Sequence, residues 1–418
     1  MVILFVALGI RLLAVGGSDN YRLLSDSRDY QRHAVSIMNG DGYPESVIAP
    51  EGGPTAFRPP LYPYYMGAIY TITRPPPKWN LVRASQAFLG TLIVALIALI
   101  AFRIWGQREA LLAAGIAAVY PPLVIYGGTI LTETLFVTLE LGAVAAAIEY
   151  RRRQRSYAWL LLAGVLVGLA ALARSNGILL LLPLIVAVWP SGAGSLWTRL
   201  ARPAALVGVA LLVLVPWTVR NAIEFDAFVP APTQSGYAIA GTYNEQAQDD
   251  PDRPAGWRRA EQVPEFDDLF EAGTGLDERE LDGELRDRAM EFAIDNPLYV
   301  AEVGARNTLR LFDLAGFDHA EEVWSFAGVK PLTADLGVVG FYLMIPFVLI
   351  GAFTTAARRA PLFIWLTPLV LFLSVIFIAD SGARYRAPID PFLILLAALG
   401  LAALLDRLRS RRRGEVAG

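Results

Sequence analysis

The chain has 418 residues and a formal net charge of −3; 55% of the residues are hydrophobic, only 18% are charged, and the mean hydropathy is +0.44. This composition excludes an ordinary soluble protein and predicts a polytopic membrane protein. Cysteine is absent, which excludes disulfides, thiolate metal sites and a cysteine nucleophile. Repeated apolar segments favour one helical bundle in lipid, so residues 1–418 are predicted to form a single integral membrane domain.

Ten apolar segments are predicted to cross the membrane, since about 20 apolar residues cover the ~30 Å hydrocarbon layer. The first segment is short and contains Arg11, which indicates that it starts upstream of Met1 or continues toward Leu24. A signal peptide is the alternative, but no convincing cleavage site follows, and further apolar segments do. The predicted spans are 1–17, 81–102, 109–126, 130–149, 157–173, 176–190, 203–219, 336–357, 361–379 and 387–405.

Arginine is concentrated in every second connection between these spans, and short basic loops favour the cytoplasm. Both termini are therefore predicted to be cytoplasmic, in a multi-pass protein of the cell membrane whose active site is extracytoplasmic. The extracytoplasmic face receives the two long polar stretches, 18–80 and 220–335. The basic connections are 103–108, 151–155, 199–202, 358–359 and the C-terminal tail.

The stretch 18–80 is predicted to be the catalytic loop because acids and a cation are clustered in it. Asp26 and Asp29 are three residues apart, so they share one face of a short helix, with Tyr30 beside them. An aspartate held near an acceptor hydroxyl can take its proton during attack. The alternative is that Asp26 caps a helix running to Met38 and that Asp29 is solvated.

Arg58 stands immediately before Pro59 and Pro60, which fix the backbone at that point. Its guanidinium is a planar donor fork that stays charged, and it therefore suits the phosphate of a lipid. The alternative is an arginine that only reaches for membrane head groups.

Further polar residues fall at the outer ends of other predicted spans. Glu133 lies just inside the fourth span, where an acid either faces a cavity or partner or caps the helix N-terminus. Interfacial anchoring is the alternative for the cations, above all for Arg174 and Arg386. The convergence of these residues on one face predicts a shared site. Besides Glu133, the group contains Arg174, Arg220, Asn221, Asp380, Arg384, Tyr385 and Arg386.

Residues 220–335 are predicted to form an acidic, partly helical extracytoplasmic insert, which holds 25 of the 39 acidic residues. Asp277 and Glu280 form a capping-box pattern, which predicts a helix that ends at Asn296-Pro297. A second helix is predicted over about 298–314. The acidity of the insert favours a cationic or neutral acceptor over an anionic one.

Several functions are disfavoured by motifs that the chain lacks. His33 and His319 are the only histidines and do not have metal-binding spacing. No glycine-rich nucleotide-binding motif occurs, so a nucleotide-driven pump is disfavoured. The basic clusters are short and cytoplasmic, so no nucleic-acid partner is predicted.

Six stretches between about residues 20 and 400 follow one another in an informative order. They are DSRDYQRHAVSIMNGDGY, FRPPLYP, YPPLVIYGGTILTETLF, LARSNGILLLLP, PWTVRN and RYRAPIDPFLILLAALGL. In this order they resemble polyprenyl-phosphate-sugar-dependent membrane glycosyltransferases of the GT-C fold, family 39 type, which includes protein O-mannosyltransferases and lipid A aminoarabinose transferases. The resemblance implies an all-α polytopic membrane protein, with a GT-C-like bundle of about ten transmembrane helices and a partly helical extracytoplasmic insert.

The resemblance also implies roles for individual residues. Asp26 falls at the acid of the family's first external loop, the group expected to act as general base or to position the acceptor. Because this chain has Asp-Ser where Asp-Glu is frequent, the second acid is either Asp29 or missing, and Glu133 falls where a further acid enters the site. The donor phosphate is expected at Arg58, Arg384 and Tyr385, and a substrate cavity at Tyr30, Arg174, Arg220 and Asn221.

The implied function is transfer of a sugar, with inversion, from a polyprenyl-phosphate donor. The acceptor is a hydroxyl, or an amine or phosphate group, of a lipid, glycan or protein, and the donor, the acceptor and the bilayer are the expected partners. No cofactor is expected to be obligatory; a divalent cation held by Asp26 and Glu133 is the alternative. The other reading is a polyprenyl-lipid or small-molecule transporter or flippase without transferase activity. It predicts acids and broken helices near the bilayer midplane, whereas the deep spans are nearly free of acids.

Overall fold

A computed structural model describes residues 1–18, 21–73, 75–153, 156–190, 195–378, 380 and 382–416 of the chain, and within these ranges the regular structure is helical. The basic connection predicted at 151–155 is described only as far as Arg153, and the span predicted at 361–379 only as far as Ile378. The helices up to the insert are α1 (Val2–Gly16), α2 (Asp26–Asn39), α3 (Leu61–Thr73), α4 (Trp79–Ile104), α5 (Gln107–Val119), α6 (Pro121–Gly128), α7 (Glu133–Arg152), α8 (Tyr157–Ala173), α9 (Leu181–Val188), preceded by the 3-10 turns Ser175–Leu180, and α10 (Leu196–Glu224).

The insert contains six further helices, and five follow it. Those of the insert are α11 (Ser235–Ala240), α12 (Glu245–Gln248), α13 (Asp267–Phe270), α14 (Glu278–Asp295), α15 (Pro297–Leu311) and α16 (Phe317–Ser325). Those that follow are α17 (Pro331–Ala352), α18 (Thr355–Arg359), α19 (Leu362–Leu373), α20 (Ala383–Arg386) and α21 (Asp390–Val416).

Each of the ten predicted spans falls on a helix or on two consecutive helices. By length and composition, four helices of the described chain can cross a membrane, and the pair α5–α6, bent by 53°, would be a fifth. The protein is thus an all-α membrane protein, but several predicted spans are shorter or broken helices. The four are α4, α10 from Arg199, α17 and α21 as far as Ser410; the shorter apolar helices are α1, α8, the segment 175–188 and α19.

Helix α7 forms the centre of the bundle, between α4 and α8. Its side chains are buried from Glu133 to Tyr150 except at Gly142, so it presents no face to lipid over this length. A helix that is enclosed by other helices can carry acids that a lipid-facing helix could not. This enclosure explains how α7 accommodates Glu133 at its first residue and Glu140 near its middle.

Arg11, which interrupts the first predicted span, satisfies carbonyl groups at the break between α5 and α6. Pro121 and Pro122 lack the N–H groups that would bond the carbonyls of Ala117 and Ala118. Arg11 is 1% exposed, and its guanidinium donates to the Ala117 carbonyl at 3.2 Å and to the Ala118 carbonyl at 3.2 Å. The arginine is therefore part of the packing between α1 and α5.

Replacement of Arg11 by leucine is expected to destabilise the protein, although it makes the first span more apolar. Each buried carbonyl left without a donor costs about 1–3 kcal/mol, which exceeds the gain from one more apolar side chain facing the same polar carbonyls. The thermal unfolding midpoint of the purified protein in detergent measures the effect. The matched control is an apolar substitution at Leu13, which is 76% exposed on the same helix. An Arg11→Leu midpoint equal to that of the wild type would contradict this role.

The insert has a hydrophobic core of its own, which includes Phe266, Leu281 and Val303. It is attached to the bundle at the end of α19. Tyr243 donates its hydroxyl to the Phe377 carbonyl at 2.8 Å, and Asn307 donates to the Ile376 carbonyl at 3.0 Å. The insert therefore lies over the same end of the bundle as α20.

Arg386 is fully buried, so the alternative that it anchors the protein at the membrane interface is wrong. Its guanidinium donates to Asp390 at 2.9 Å and to Asp313 at 2.7 Å, and both acids are also buried. Tyr126 donates a further hydrogen bond to Asp390 at 3.1 Å. Because a buried charge needs such partners, the short helix α20 is held in one position between the insert and the bundle.

Candidate active site

Asp26 and Asp29 lie on one face of α2 and share Arg58. Arg58 donates from Nη2 to Asp26 Oδ1 at 2.8 Å and from Nε to Asp29 Oδ2 at 2.7 Å. The spacing of three residues on a helix brings the two carboxylates to one side, as predicted. The capping alternative for Asp26 is wrong, because the N-cap of α2 is Ser25 and both Asp26 oxygens accept hydrogen bonds from arginines.

Arg384 connects Asp26 to Glu133, the first residue of α7. It donates from Nη1 to Asp26 Oδ2 at 2.6 Å and from Nε to Glu133 Oε1 at 2.6 Å. Arg174, which follows the last residue of α8, donates to the same Glu133 oxygen at 2.7 Å. Arg174 is therefore an ion-pair partner within the bundle, and the alternative of an interfacial anchor is wrong for it as well.

Two glycines position the segments that carry Arg174 and Arg384. At Gly177 a Cβ atom would lie 2.4 Å from the Ala170 carbonyl carbon, so only glycine allows the chain to turn so closely after α8. Gly382, just before α20, has a φ of +52°, which side chains other than glycine rarely adopt. Arg174 thus precedes, and Arg384 follows, a backbone conformation that requires glycine.

Seven charged side chains alternate in sign and form one connected group, which we call the ion-pair series. Four arginines and three acids leave one net positive charge. Arg32 is at one end, where it donates to Asp29 at 3.1 Å, and His33 approaches the same carboxylate at 3.4 Å. The series is Arg32, Asp29, Arg58, Asp26, Arg384, Glu133 and Arg174.

Aromatic rings lie against the arginines of the ion-pair series. The Arg58 guanidinium is 5.0 Å from the ring centres of Tyr30 and of Phe57, and Arg174 is 5.1 Å from the ring of Tyr385. Cations within about 6 Å of a ring face are attracted to it. Tyr30 and Tyr385, both predicted as site residues, therefore line the site as supports of arginines.

The pKa values of Asp26 and Asp29 are held well below the usual range of an aspartate. Burial opposes ionisation of both residues, but for Asp26 the charges of Arg58 and Arg384 outweigh it. For Asp29 the proximity of His33, 3.4 Å from the carboxylate, and the charge of Arg58 do the same. Both carboxylates are therefore ionised at neutral pH and are weak bases in the ligand-free protein.

The depressed pKa values predict where acid weakens the fold. A carboxylate with a lowered folded-state pKa stabilises the native state above its unfolded pKa of about 3.9, and this contribution is lost as pH falls through the folded value. The unfolding midpoint should therefore not respond to these two groups between about pH 7 and about pH 5, and should fall below about pH 4. In the Asp26→Asn/Asp29→Asn double variant the difference from wild type should shrink on acidification. A wild-type decline near pH 6 that the double variant lacks would contradict this assignment.

Arg220 and Asn221, predicted to line the substrate cavity, hold backbone and make no contact with the ion-pair series. Arg220 donates to the Thr55 carbonyl at 2.7 Å, and Asn221, which is fully buried, donates to the Val229 carbonyl at 3.1 Å. Both belong to the end of α10, next to the segment that carries Arg58. Their contribution to the site is therefore through the backbone.

Asp26 and Glu133 do not fit a divalent cation in this arrangement. Arginines occupy both oxygens of Asp26 and one oxygen of Glu133, and a metal ion would have to displace them. Within the described ranges there is no group of three or more potential protein ligands that could hold a metal ion. The buried Glu133 Oε2 has no hydrogen-bond partner among the described residues, but it offers only one atom that could bind a metal ion.

Comparisons with known proteins agree with this architecture. Residues 57–219 match the family model of dolichyl-phosphate-mannose-protein mannosyltransferases, which covers less than half of the chain. No curated protein sequence matches the chain. The bent α5–α6 pair, α7, Arg58 and Arg174 all fall within the matched segment.

Two solved structures of oligosaccharyltransferases from Archaeoglobus fulgidus share the fold. One is the archaeal oligosaccharyltransferase AglB in complex with an inhibitory peptide and a dolichol-phosphate, at 16% identity and a TM-score of 0.57, covering 100% of this chain and 51% of AglB. The other is the oligosaccharyltransferase complex with Zn and sulfate, at 15% identity and a TM-score of 0.56, covering 98% of this chain and 50% of that chain. The chain thus spans about half the length of these relatives.

A third likeness is to ArnT from Cupriavidus metallidurans bound to undecaprenyl phosphate, at 14% identity, covering 96% of this chain and 77% of ArnT. Its TM-score of 0.42 is too low to support a structural conclusion. The fold therefore rests on the two Archaeoglobus structures and on the matched segment. The chain is a membrane protein of the GT-C fold, and its residues 57–219 are similar to the dolichyl-phosphate-mannose-protein mannosyltransferase family.

Proposed function

We propose that this protein transfers a sugar from a polyprenyl-phosphate donor to an acceptor group of a lipid, glycan or protein. The observation that carries the proposal is that Asp26 is shared by two arginines, Arg58 and Arg384, at 2.8 and 2.6 Å. A base and two phosphate-binding cations thereby meet at one point. Transfer of a phosphate-linked sugar needs these groups together.

The proposed reaction is a single inverting displacement. The acceptor hydroxyl oxygen forms a bond to the anomeric carbon while the bond from that carbon to the phosphate oxygen breaks. The electron pair leaves with the polyprenyl phosphate, whose charge Arg58 and Arg384 stabilise, and the acceptor proton passes to Asp26. Glu133, which binds Arg384 and Arg174, holds Arg384 in position for the leaving phosphate.

Donor binding supplies the basicity that Asp26 lacks in the ligand-free protein. A phosphate that binds Arg58 and Arg384 brings a negative charge beside Asp26 and competes for its hydrogen-bond donors. Both effects raise the pKa of the carboxylate toward the range of a useful general base. The Asp26 carboxylate would therefore become a useful base only when the donor is bound, so that it takes up no proton in an empty site.

The topology that belongs to this proposal has both termini in the cytoplasm and the ion-pair series on the extracytoplasmic side of the cell membrane. The arginine-rich connections support this orientation. In this arrangement 18–80 is the catalytic segment and 220–335 the insert, although 61–73 is helix α3 and not loop. The apolar tail of the donor would remain in the bilayer.

The test is incubation of the purified full chain, in lipid nanodiscs, with polyprenyl-phosphate donors that carry a labelled sugar. We expect release of polyprenyl phosphate, by transfer or by slow hydrolysis, from the wild type and a large loss in Asp26→Asn and Arg58→Ala. Wild-type protein that binds the donor and never cleaves it would overturn the proposal.

Glu140 favours a second candidate function, the transport of a lipid. This residue is fully buried near the middle of α7, and neither of its carboxylate oxygens has a hydrogen-bond partner among the described residues. An unpaired acid at such a depth is typical of transport pathways. Glu140→Gln separates the candidates: transfer should be unchanged if the protein is a transferase, whereas lipid translocation in liposomes should be lost if it is a transporter.

A further inference from the structure

Glu278 is a buried carboxylate of the insert that makes no contact with the ion-pair series. It is the first residue of α14 and is 2% exposed. An acid at a helix N-terminus is favoured by the unpaired N–H groups there, so the sequence pattern around the capping box accounts for its presence. The pattern does not account for its partners, which come from a distant part of the chain.

Four donors from three segments converge on this one carboxylate. Its Oε2 accepts from the Ser46 hydroxyl at 2.5 Å and from the Thr55 hydroxyl at 2.6 Å. Its Oε1 accepts from the Ala56 backbone N–H at 2.8 Å and from the Thr233 hydroxyl. None of these donors is a cation, so the carboxylate serves to connect segments and does not neutralise a neighbouring charge.

These contacts fix the backbone that carries Arg58. Thr55 and Ala56 stand three and two residues before the arginine, and both of their contacts to Glu278 involve buried atoms. The same short segment is held from other directions by Arg220 on the Thr55 carbonyl and by the Tyr43 hydroxyl on the Arg58 carbonyl, at 3.1 Å. Of these three residues that bind the segment, only Glu278 belongs to a helix of the insert.

We infer that Glu278 is a positioning residue of Arg58, so that the insert builds part of the donor-phosphate site in addition to any role in acceptor choice. The identity of the ligand as a donor phosphate rests on the proposed function. The positioning of the Arg58 segment by Glu278 does not depend on it. A shift in α14 would be transmitted through Glu278 to the arginine. The insert is thereby a component of the site.

Glutamine cannot replace Glu278, because the four groups around the carboxylate all donate hydrogen bonds to it and an amide nitrogen is itself a donor. An amide nitrogen in place of Oε1 would face the Ala56 N–H, which cannot accept a hydrogen bond. In place of Oε2 it would face the Ser46 hydroxyl, which already accepts from the backbone N–H groups of Ile48 and Ala49. Either orientation leaves a buried donor unpaired, so Glu278→Gln should release the segment.

Asp282 provides the matched control. It lies one turn further along α14, is 7% exposed, and accepts from the Gly236 N–H at 2.6 Å and from Ser235 at 3.2 Å, both within the insert. Asp282→Asn therefore perturbs a buried carboxylate of the same helix without touching the Arg58 segment. An effect seen in both variants would be an effect of insert stability alone.

The first measurement is hydrogen exchange of the backbone amides of Ala56, Phe57 and Arg58 in the ligand-free full chain. The second is the Kd of polyprenyl phosphate in nanodiscs. Glu278→Gln should accelerate exchange at these amides and raise the Kd about tenfold, the loss of about one hydrogen bond, whereas Asp282→Asn should leave both near wild type. Unchanged exchange in Glu278→Gln overturns the inference. Accelerated exchange in a protein whose wild type binds no polyprenyl phosphate leaves the positioning intact and overturns the proposed function instead.

Discussion

Replacement of Asp26 by asparagine should lower kcat for sugar transfer by a factor of about 10²–10⁴, the usual contribution of a positioned general base. The KM for the donor should not rise, because the variant frees Arg58 and Arg384 from a carboxylate that competes with the phosphate for them. A fall in kcat without a rise in KM is therefore the signature of this role. Initial rates at several donor concentrations, with protein of verified unfolding midpoint, measure both constants.

Asp29→Asn is the control for this substitution. Asp29 also binds Arg58, but its other partners are Arg32 and His33, and within the described chain it forms no ion pair with Arg384. Its loss should affect donor binding more than kcat. If Asp26→Asn is as active as the wild type while Asp29→Asn or Glu133→Gln is inactive, the base is one of those acids and the mechanism must be reassigned.

Arg384→Ala should lower kcat/KM by a factor of about 10²–10³, the loss expected when one preorganised donor to a developing negative charge is removed. Within the described chain it is the side chain that bonds both Asp26 and Glu133, so its loss divides the ion-pair series in two. Arg384→Lys should rescue little, because one ammonium group cannot reproduce the planar fork that bridges two carboxylates.

A second substitution tests whether Arg384 has only a structural role. Arg384→Ala leaves the fully buried Glu133 with Arg174 as its remaining ion-pair partner, which should lower the unfolding midpoint. Adding Glu133→Gln removes an acid that has lost one of its two cations but leaves Arg174 without an acid partner, so the double variant should regain neither stability nor activity. Recovery of activity together with stability would mean that Arg384 has only a structural role.

The positions of the membrane helices could be predicted from the sequence because long apolar runs are local features. The capping box is confirmed in the same way: Asp277 caps α14, and the helix ends at Asp295 before Pro297. Helix α3 was not predicted, since Pro59 and Pro60 suggest a loop. A helix that begins just after two prolines satisfies the same constraint. The break between α5 and α6 could not be predicted from the sequence around it, because it is stabilised by Arg11 from another helix.

The acids and arginines of the site could be identified one by one, whereas their pairing could not. Asp26 and Arg384 are 358 positions apart, and no local pattern records such a contact. Arg32 and His33 could have been found, because they stand three and four residues after Asp29 on the same helix. Glu278 could not, since its position in a capping box already gives the acid a sufficient local reason.

The segment that holds Arg58 has a consequence for the thermodynamics of recognition. The Arg58 carbonyl accepts a hydrogen bond from Tyr43, and two prolines follow the residue. In the ligand-free protein its guanidinium is already bound by two carboxylates and lies over an aromatic ring. A ligand that binds there exchanges one set of partners for another and orders little that was free, so the entropic cost of binding is small. A cation so rigidly oriented selects anions by their shape, and an anion of the wrong geometry cannot be accommodated by a movement of the arginine.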